Sequence, residues 1–261
     1  MQNVVEKFVL PLLTKRGWVR TCEIGASLGA STDRLLLAPK VAITLIDPCL
    51  DCDLRQKYAG RPNVTVRKGL SLNVLRELGD CFDCILIDGD HNWYTVYHEL
   101  KTIHERNLLK AGGFLFFHDV DWPYGRRDMY YQPETIPSEY RHSCAKRGIV
   151  RGQSELSDKS AFNSELWNAK HEGGARNGVL TAIEDFRREH KHEYSFFHVR
   201  GDFGLGIMQR RRGFVDNLMF LGVRCDGFAY NVIGSPKRFG LAHFPSLYFR
   251  VSSLVKGNTV P

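Results

Sequence analysis

Five short strand-like runs pace the first 120 residues, and each stops at a glycine or a carboxylate. They are WVRTCEIG (18–25), VAITLID (41–47), NVTVRKG (63–69), FDCILID (82–88) and GGFLFFHD (112–119). Helix-like segments alternate with them. STDRLLLA (31–38) opens on Ser/Thr cap residues, 50–59 is a short candidate, and SLNVLREL (71–78) follows. YTVYHELKTIHERNLL (94–109) is a long amphipathic helix with apolar residues at 96, 100, 103 and 108, and His98 and His104 read as solvent-facing positions on it. Continuous apolar strands alternating with helices imply a parallel sheet covered on both faces. Right-handed crossovers then wind the sheet so that ligands bind at the carboxyl ends of its strands. Glu23, Asp47, Asp88 and Asp119 all fall on or near that rim.

After Asp119 the alternation stops. Residues 120–175 are rich in Pro, Tyr, Arg, Ser and Gly without clear periodicity, which reads as an insertion closing over the site. A helix over 176–190 follows. EYSFFHVR (193–200) and FGLGIMQR (203–210) flank Gly201-Asp202, a hairpin turn that ends the sheet with an antiparallel strand. The expected division is a domain over 1–213 and an apolar tail over 214–261 that packs on it or on a second copy of the chain.

Composition narrows the class. The 261 residues are 43% hydrophobic and 25% charged, enough for one large core, and no apolar run reaches the length of a membrane span. MQNVVEKFVLPLLTKRGW carries charge throughout and reads as an amphipathic helix rather than a signal peptide. Seven cysteines, with one lone CxxC at Cys49 and Cys52, fit reduced thiols in a cytoplasmic protein better than a zinc site. The net charge of +7 lies partly in short clusters, Arg126-Arg127, Arg187-Arg188 and Arg210-Arg211-Arg212, with no nucleic-acid reader motif beside them. Attraction of an anionic small molecule accounts for it equally well.

The loop CEIGASLGAS (22–31) sets Gly25 and Gly29 between a strand and a helix, where a ligand can approach the backbone. It has neither the dinucleotide pattern of three glycines nor the P-loop lysine. The loop has an acid two residues before its first glycine. Asp47 ends the second strand, ILIDGDH ends the fourth and LLKAGGFLFFHD carries the fifth. In this order the set, covering roughly residues 15–120, resembles the class I S-adenosylmethionine (SAM)-dependent methyltransferases. The resemblance implies an α/β fold, a Rossmann-like seven-stranded, mostly parallel doubly wound sheet with an insertion after the fifth strand. It assigns the cofactor to Glu23, to Gly25, Ala26, Ser27 and Gly29 in the loop, and to Ser31 and Thr32 at the helix start. Asp47 would take the ribose hydroxyls, Gly69, Leu70 and Ser71 would lie near the adenine, and Asp88 would close the set.

LIDGDHNWY (86–94) places acids and an imidazole directly after the fourth strand. Asp88 and Asp119 end neighbouring strands in this topology, with His118 beside Asp119, so carboxylates and imidazole can converge on a divalent ion. A metal lowers the pKa of a bound hydroxyl, and a base in reach can remove its proton during attack. More narrowly, the segment resembles small-molecule O-methyltransferases, including antibiotic-sugar and macrolide-sugar enzymes. That implies a metal, Mg2+, on Asp88, His118 and Asp119, where sugar-modifying members have two acids in succession at 118–119. Asp90 and His91 both stand as candidates for the base.

The segment 119–137 offers Trp122, Tyr124, Tyr130 and Tyr131 as stacking faces and Arg126 and Arg127 as forked donors, and Arg176 and Asn177 precede a helix. Together they point to a polar, anionic acceptor. The expected function is SAM-dependent O-methylation of a small metabolite, such as a nucleotide-linked sugar or other natural-product intermediate. N- or carboxyl-methylation, a non-catalytic SAM-binding module and RNA methylation are the alternatives, the last resting on charge alone. A homo-oligomer fits the apolar termini, and no membrane partner is expected.

Overall fold

The structure is a computed structural model, and it describes residues 5–17, 19–49, 52–158, 161–201 and 203–211. The expectations for Asp202 and for the tail 214–261 lie outside the described residues.

A turn of π-helix (Val5–Val9) leads into α1 (Leu10–Arg16). Then β1 (Arg20–Ile24), α2 (Ala30–Leu35), β2 (Ala42–Asp47), α3 (Leu54–Lys57), β3 (Val64–Lys68), α4 (Ser71–Glu77), β4 (Phe82–Ile87), α5 (Trp93–Glu105) and β5 (Leu109–His118) alternate. The insertion holds β6 (Met129–Tyr130), β7 (Cys144–Lys146) and β8 (Trp167–Ala169), and α6 (Val179–Glu189), β9 (Tyr194–Val199) and β10 (Leu205–Arg210) complete the described chain. The main sheet has the order β3-β2-β1-β4-β5-β10-β9. Strands β1 to β5 pair in parallel, and β10 runs antiparallel to both β5 and β9. The seven-stranded, mostly parallel doubly wound sheet is therefore present.

The continuous apolar runs divide by strand periodicity between two faces. Ile85, Ile87, Leu115 and Phe117 pack with α4, α5 and α6. Cys84, Leu86, Phe114 and Phe116 pack with α1, α2 and α3. Each fully buried side chain of this kind contributes about 1.5–3 kcal/mol. Val96, Leu100 and Ile103 of the long helix are buried against the first of these faces, as is Leu108, which lies beyond the helix end at Glu105. Among the described residues no helix is long and apolar enough to cross a membrane.

Several boundaries differ from the sequence expectation: the long helix ends at Glu105 and not 109, β5 starts at Leu109 and not 112, and α6 starts at Val179 and not 176. α2 is capped by Gly29 at φ 81° and not by a Ser/Thr side chain, and Ser31 and Thr32 sit in its first turn. Thr32 is drawn inside because its hydroxyl donates to buried Glu23 at 2.6 Å. α5 starts at Trp93, where Asn92 Oδ1 accepts from Thr95 N at 2.9 Å. The insertion also has more structure than its composition suggested. It forms a three-stranded sheet, β6-β8-β7, over a small core of Tyr124, Met129, Ile149 and Leu156.

Candidate functional site

A cavity of about 440 Å³ opens at the carboxyl ends of β1, β2 and β4. Its floor is the β1–α2 loop. Gly25, at φ 82°, lets this loop pass against the Asp88–Gly89 backbone, which a Cβ would strike. Asp47 is fixed at the mouth of β2: its Oδ2 accepts from Ser27 N at 2.9 Å and its Oδ1 from Cys49 N at 2.6 Å. Both oxygens retain lone pairs for a ligand. Gly69, Leu70 and Ser71 form one wall, with Asn73 and Arg76 on the next turn of α4. Asp88, Gly89, Asp90, Tyr94 and Thr95 form the far wall, and Tyr131, Gln132, Thr135 and Ile136, from the segment after β5, line it too.

Glu23 lies behind the floor, 1% exposed. Burial pushes its carboxyl up to about 8, against the hydrogen bond from Thr32 and reinforced by the charges of Asp88 and Asp47. It therefore carries a proton near neutral pH and supports the loop from beneath.

Asp90 faces the cavity, and its Oδ2 accepts from Thr95 Oγ1 at 2.8 Å while Oδ1 accepts from His91 N at 3.2 Å. Burial raises the Asp90 carboxyl above its ordinary value in spite of these bonds. Beside it lies an acid–imidazole cluster from the ends of β4 and β5. His91 Nε2 is 2.8 Å from Asp119 Oδ2 and 3.7 Å from Asp88 Oδ1. His118 Nδ1 is 2.8 Å from Asp119 Oδ2 and 3.2 Å from Asp88 Oδ1. Asp119 holds this position at φ 56°, a conformation rarely adopted by a side-chain-bearing residue. Burial disfavours charge throughout the cluster, but mutual attraction outweighs it. The His91 imidazole is raised well above its usual value by Asp119 and Asp88, and His118 is raised to about 9 by the same pair. Both carboxyls are in turn held below the ordinary range.

Residues 22–120 match a family model described as "Methyltransferase domain". Solved structures of similar fold include an O-methyltransferase of Bacillus cereus in complex with S-adenosylhomocysteine (17% identity, TM-score 0.46, covering 81% of this chain and 82% of that one). A methyltransferase of Podospora anserina bound to S-adenosylhomocysteine is another (15% identity, TM-score 0.48, covering 78% of this chain and 77% of that one). No curated protein matches the sequence.

Of the residues expected to hold a cofactor, Gly25, Ser27, Asp47, Gly69, Leu70, Ser71 and Asp88 line the cavity. Ala26, Gly29, Ser31, Thr32 and Glu23 do not reach it; they shape the loop that does. The acceptor-side residues depart further from expectation. Arg126 is held by a fork to Glu184 at 2.6 and 2.7 Å. Arg127 is 1% exposed and donates to the Ala169 and Ser154 carbonyls at 2.5 and 2.6 Å. Buried Asn177 accepts from Asp128 N and donates to His171 O and Gly173 O. Tyr130 donates to Asp128, and the Tyr124 hydroxyl sits between Asn163 and Asn168. Arg176 stacks on Trp93 and Tyr140, and Trp122 packs on Phe162 and Arg151. None of these seven side chains lines the cavity, because each is committed to holding the insertion together. Sequence reasoning missed Arg76, Tyr94, Thr95, Gln132, Thr135 and Ile136. For Arg76 a signal existed: positions 72, 73 and 76 share one helical face beside Gly69-Leu70-Ser71.

The lone CxxC is not paired. Cys49 Sγ faces Asp47 O at 3.5 Å and Cys52 Sγ faces Ser27 O at 3.3 Å, and all the described cysteines are free.

Proposed function

We propose that this chain is an O-methyltransferase that moves the methyl group of SAM to a hydroxyl of a small metabolite, with residues 120–175 as the cover of the acceptor side. The observation that carries this reading is the continuity of the cavity from Asp47 to Asp90, directly beside the carboxylate–imidazole cluster. An alcohol is a poor nucleophile near neutral pH, and the cavity ends where groups able to accept its proton are gathered.

In this reading Asp47 holds the ribose hydroxyls and the loop from Gly25 holds the methionine portion. The acceptor oxygen attacks the methyl carbon in line with the sulfonium. A carbon–oxygen bond forms, the carbon–sulfur bond breaks, and S-adenosylhomocysteine leaves neutral at sulfur. The hydroxyl proton passes to a base. Asp90 fits that role better than His91, because Asp90 lines the cavity whereas His91 is enclosed at 9% exposure and faces Asp119. Thr95 and the His91 amide hold the carboxylate of Asp90 in place.

The cluster also fits a divalent cation. Asp88, His91 and Asp119 each offer one donor atom, all within 4.8 Å of one another. His91 is buried with neither ring nitrogen in a well-formed hydrogen bond, although Nε2 lies so near Asp119. The imidazole makes Mg2+ a poorer match than a first-row ion such as Fe2+ or Zn2+, since Mg2+ favours oxygen donors. Asp88, His91 and Asp119 would hold such an ion, and it would supply Lewis acidity toward the acceptor hydroxyl. The case for an anionic acceptor moves from Arg126 and Arg127 to Arg76, which lines the cavity.

The test is incubation with methyl-labelled SAM and a panel of hydroxylated small molecules. Label transfer to an oxygen, dependent on acceptor, is expected. Transfer to nitrogen or to RNA, or SAM binding with no transfer across the panel, contradicts the reading.

A further inference from the structure

A second convergence of donor groups lies at the other edge of the sheet, away from the cavity. His104 is in the last turn of α5, His190 caps the end of α6, and Glu193 precedes β9. We infer that His104, His190 and Glu193 form a divalent-metal site for a first-row transition ion such as Zn2+, clasping the ends of α5 and α6 to the start of β9.

The geometry brings together the ends of α5 and α6 and the start of β9. The two imidazole rings lie 4.1 Å apart at 47°, and Phe186 packs against both. The carboxylate of Glu193 spans the pair: Oε1 is 3.2 Å from His190 Nδ1 and Oε2 is 3.9 Å from His104 Nδ1. One donor atom from each residue lies within 4.8 Å of the others. A metal ion satisfies both rings and the carboxylate at once. Two helices end here, and their C-terminal dipoles favour a cation. The nearby Arg210 guanidinium is held by Leu109 O at 2.7 Å and Asn107 Oδ1 at 2.9 Å. The Tyr194 hydroxyl lies 3.2 Å from His104 Nδ1.

Two nitrogens and a carboxylate suit Zn2+, Co2+ or Ni2+ and disfavour Mg2+ and Ca2+. The half-buried rings and exposed Glu193 leave the remaining coordination positions to water. The site stands apart from the reaction, so its effect is on stability: an ion that binds only the folded chain raises the melting temperature as its concentration rises.

The experiment uses tag-free, full-length protein carrying Asp119→Asn, so that the strand-end cluster no longer competes, with Asp88→Asn as a second background. The chelator-stripped protein is titrated with Zn2+ by calorimetry and with Co2+ by visible absorption. One equivalent is expected, with d–d bands for Co2+ and a melting temperature that climbs with added Zn2+. His190→Ala or Glu193→Gln on the same background should weaken binding tenfold or more, with far-UV circular dichroism unchanged. Should His190→Ala unfold, His190→Asn takes its place. Absence of binding in both backgrounds, or binding undiminished by the His190 and Glu193 changes, overturns the inference.

Discussion

Asp47 and Arg127 both carry buried charge, and they use it in different ways. Asp47 is 6% exposed, accepts two backbone amides from neighbouring loops, and still borders the cavity. Arg127 is more deeply buried and is occupied by the carbonyls of its own insertion. The same contrast runs through both regions. On the sheet rim, Asp88 and Asp90 sit just past the end of β4, where regular pairing has stopped, and both border the cavity. In the insertion, Arg126, Asp128 and Asn177 replace the hydrogen bonds that long helices or strands would otherwise supply. Asp128 alone accepts from Trp93 N at 2.7 Å, Gly178 N at 2.6 Å and Tyr130 OH at 2.8 Å, tying α5, α6 and β6 together. A region with little regular structure uses its polar groups as scaffold, and a rim of ended strands leaves them for ligands.

Substitutions can break this contrast. On the rim, Asp90→Asn should lower kcat by about 10²–10⁴-fold, the range for loss of a general base. Its affinity for S-adenosylhomocysteine should stay within a few-fold of wild type. An unchanged kcat would remove Asp90 from the mechanism.

In the insertion, Arg127→Ala should lower unfolding free energy by about 3–5 kcal/mol, because buried carbonyls lose their donor and a void remains. Urea denaturation measures it. A loss of cofactor affinity without a loss of stability would place Arg127 on the ligand side.

Glu99 sharpens the comparison at the sheet–helix interface. It is fully buried with no well-formed hydrogen bond, and burial pushes its carboxyl up to about 8, which the nearby Ser71 hydroxyl only partly offsets. The folded-state value lies above the unfolded one, so the stabilising effect is complete below the unfolded pKa and fades as pH rises. Between the unfolded value of about 4.3 and the folded value of about 8, Glu99 should cost about 1.4 kcal/mol per pH unit. Glu99→Gln should flatten that part of the stability profile; an unaltered slope would show that Glu99 does not titrate in this window.

The smallest effect is expected from Arg126→Ala. Its fork to Glu184 is a partly exposed ion pair, worth no more than about 1 kcal/mol. A change in acceptor KM without a change in stability would return Arg126 to the acceptor site.

The frame was legible because strand periodicity and apolar continuity act locally. FDCILID and GGFLFFHD reach their positions through burial alone, and the acids that end β2 and β4 follow from where those strands stop. What the sequence did not disclose was partnership across long separations. Nothing near Arg127 in the chain announces Ala169 or Ser154, and nothing near Thr32 announces that its hydroxyl turns inward to Glu23. The Ser/Thr cap expected at α2 gave way to Gly29 for that reason. His104 read as solvent-facing because its helix is amphipathic, whereas His190, 86 positions on, is its neighbour.

The most direct test of the central claim is a calorimetric titration with S-adenosylhomocysteine of wild type, Asp47→Ala and Arg126→Ala. Wild type should bind with a Kd on the order of micromolar. Asp47→Ala should weaken binding by about tenfold or more, as expected for loss of a charged hydrogen-bond acceptor, and Arg126→Ala should bind as wild type does. No binding by the wild-type chain, or equal binding by Asp47→Ala, would contradict the assignment of the cavity to the cofactor.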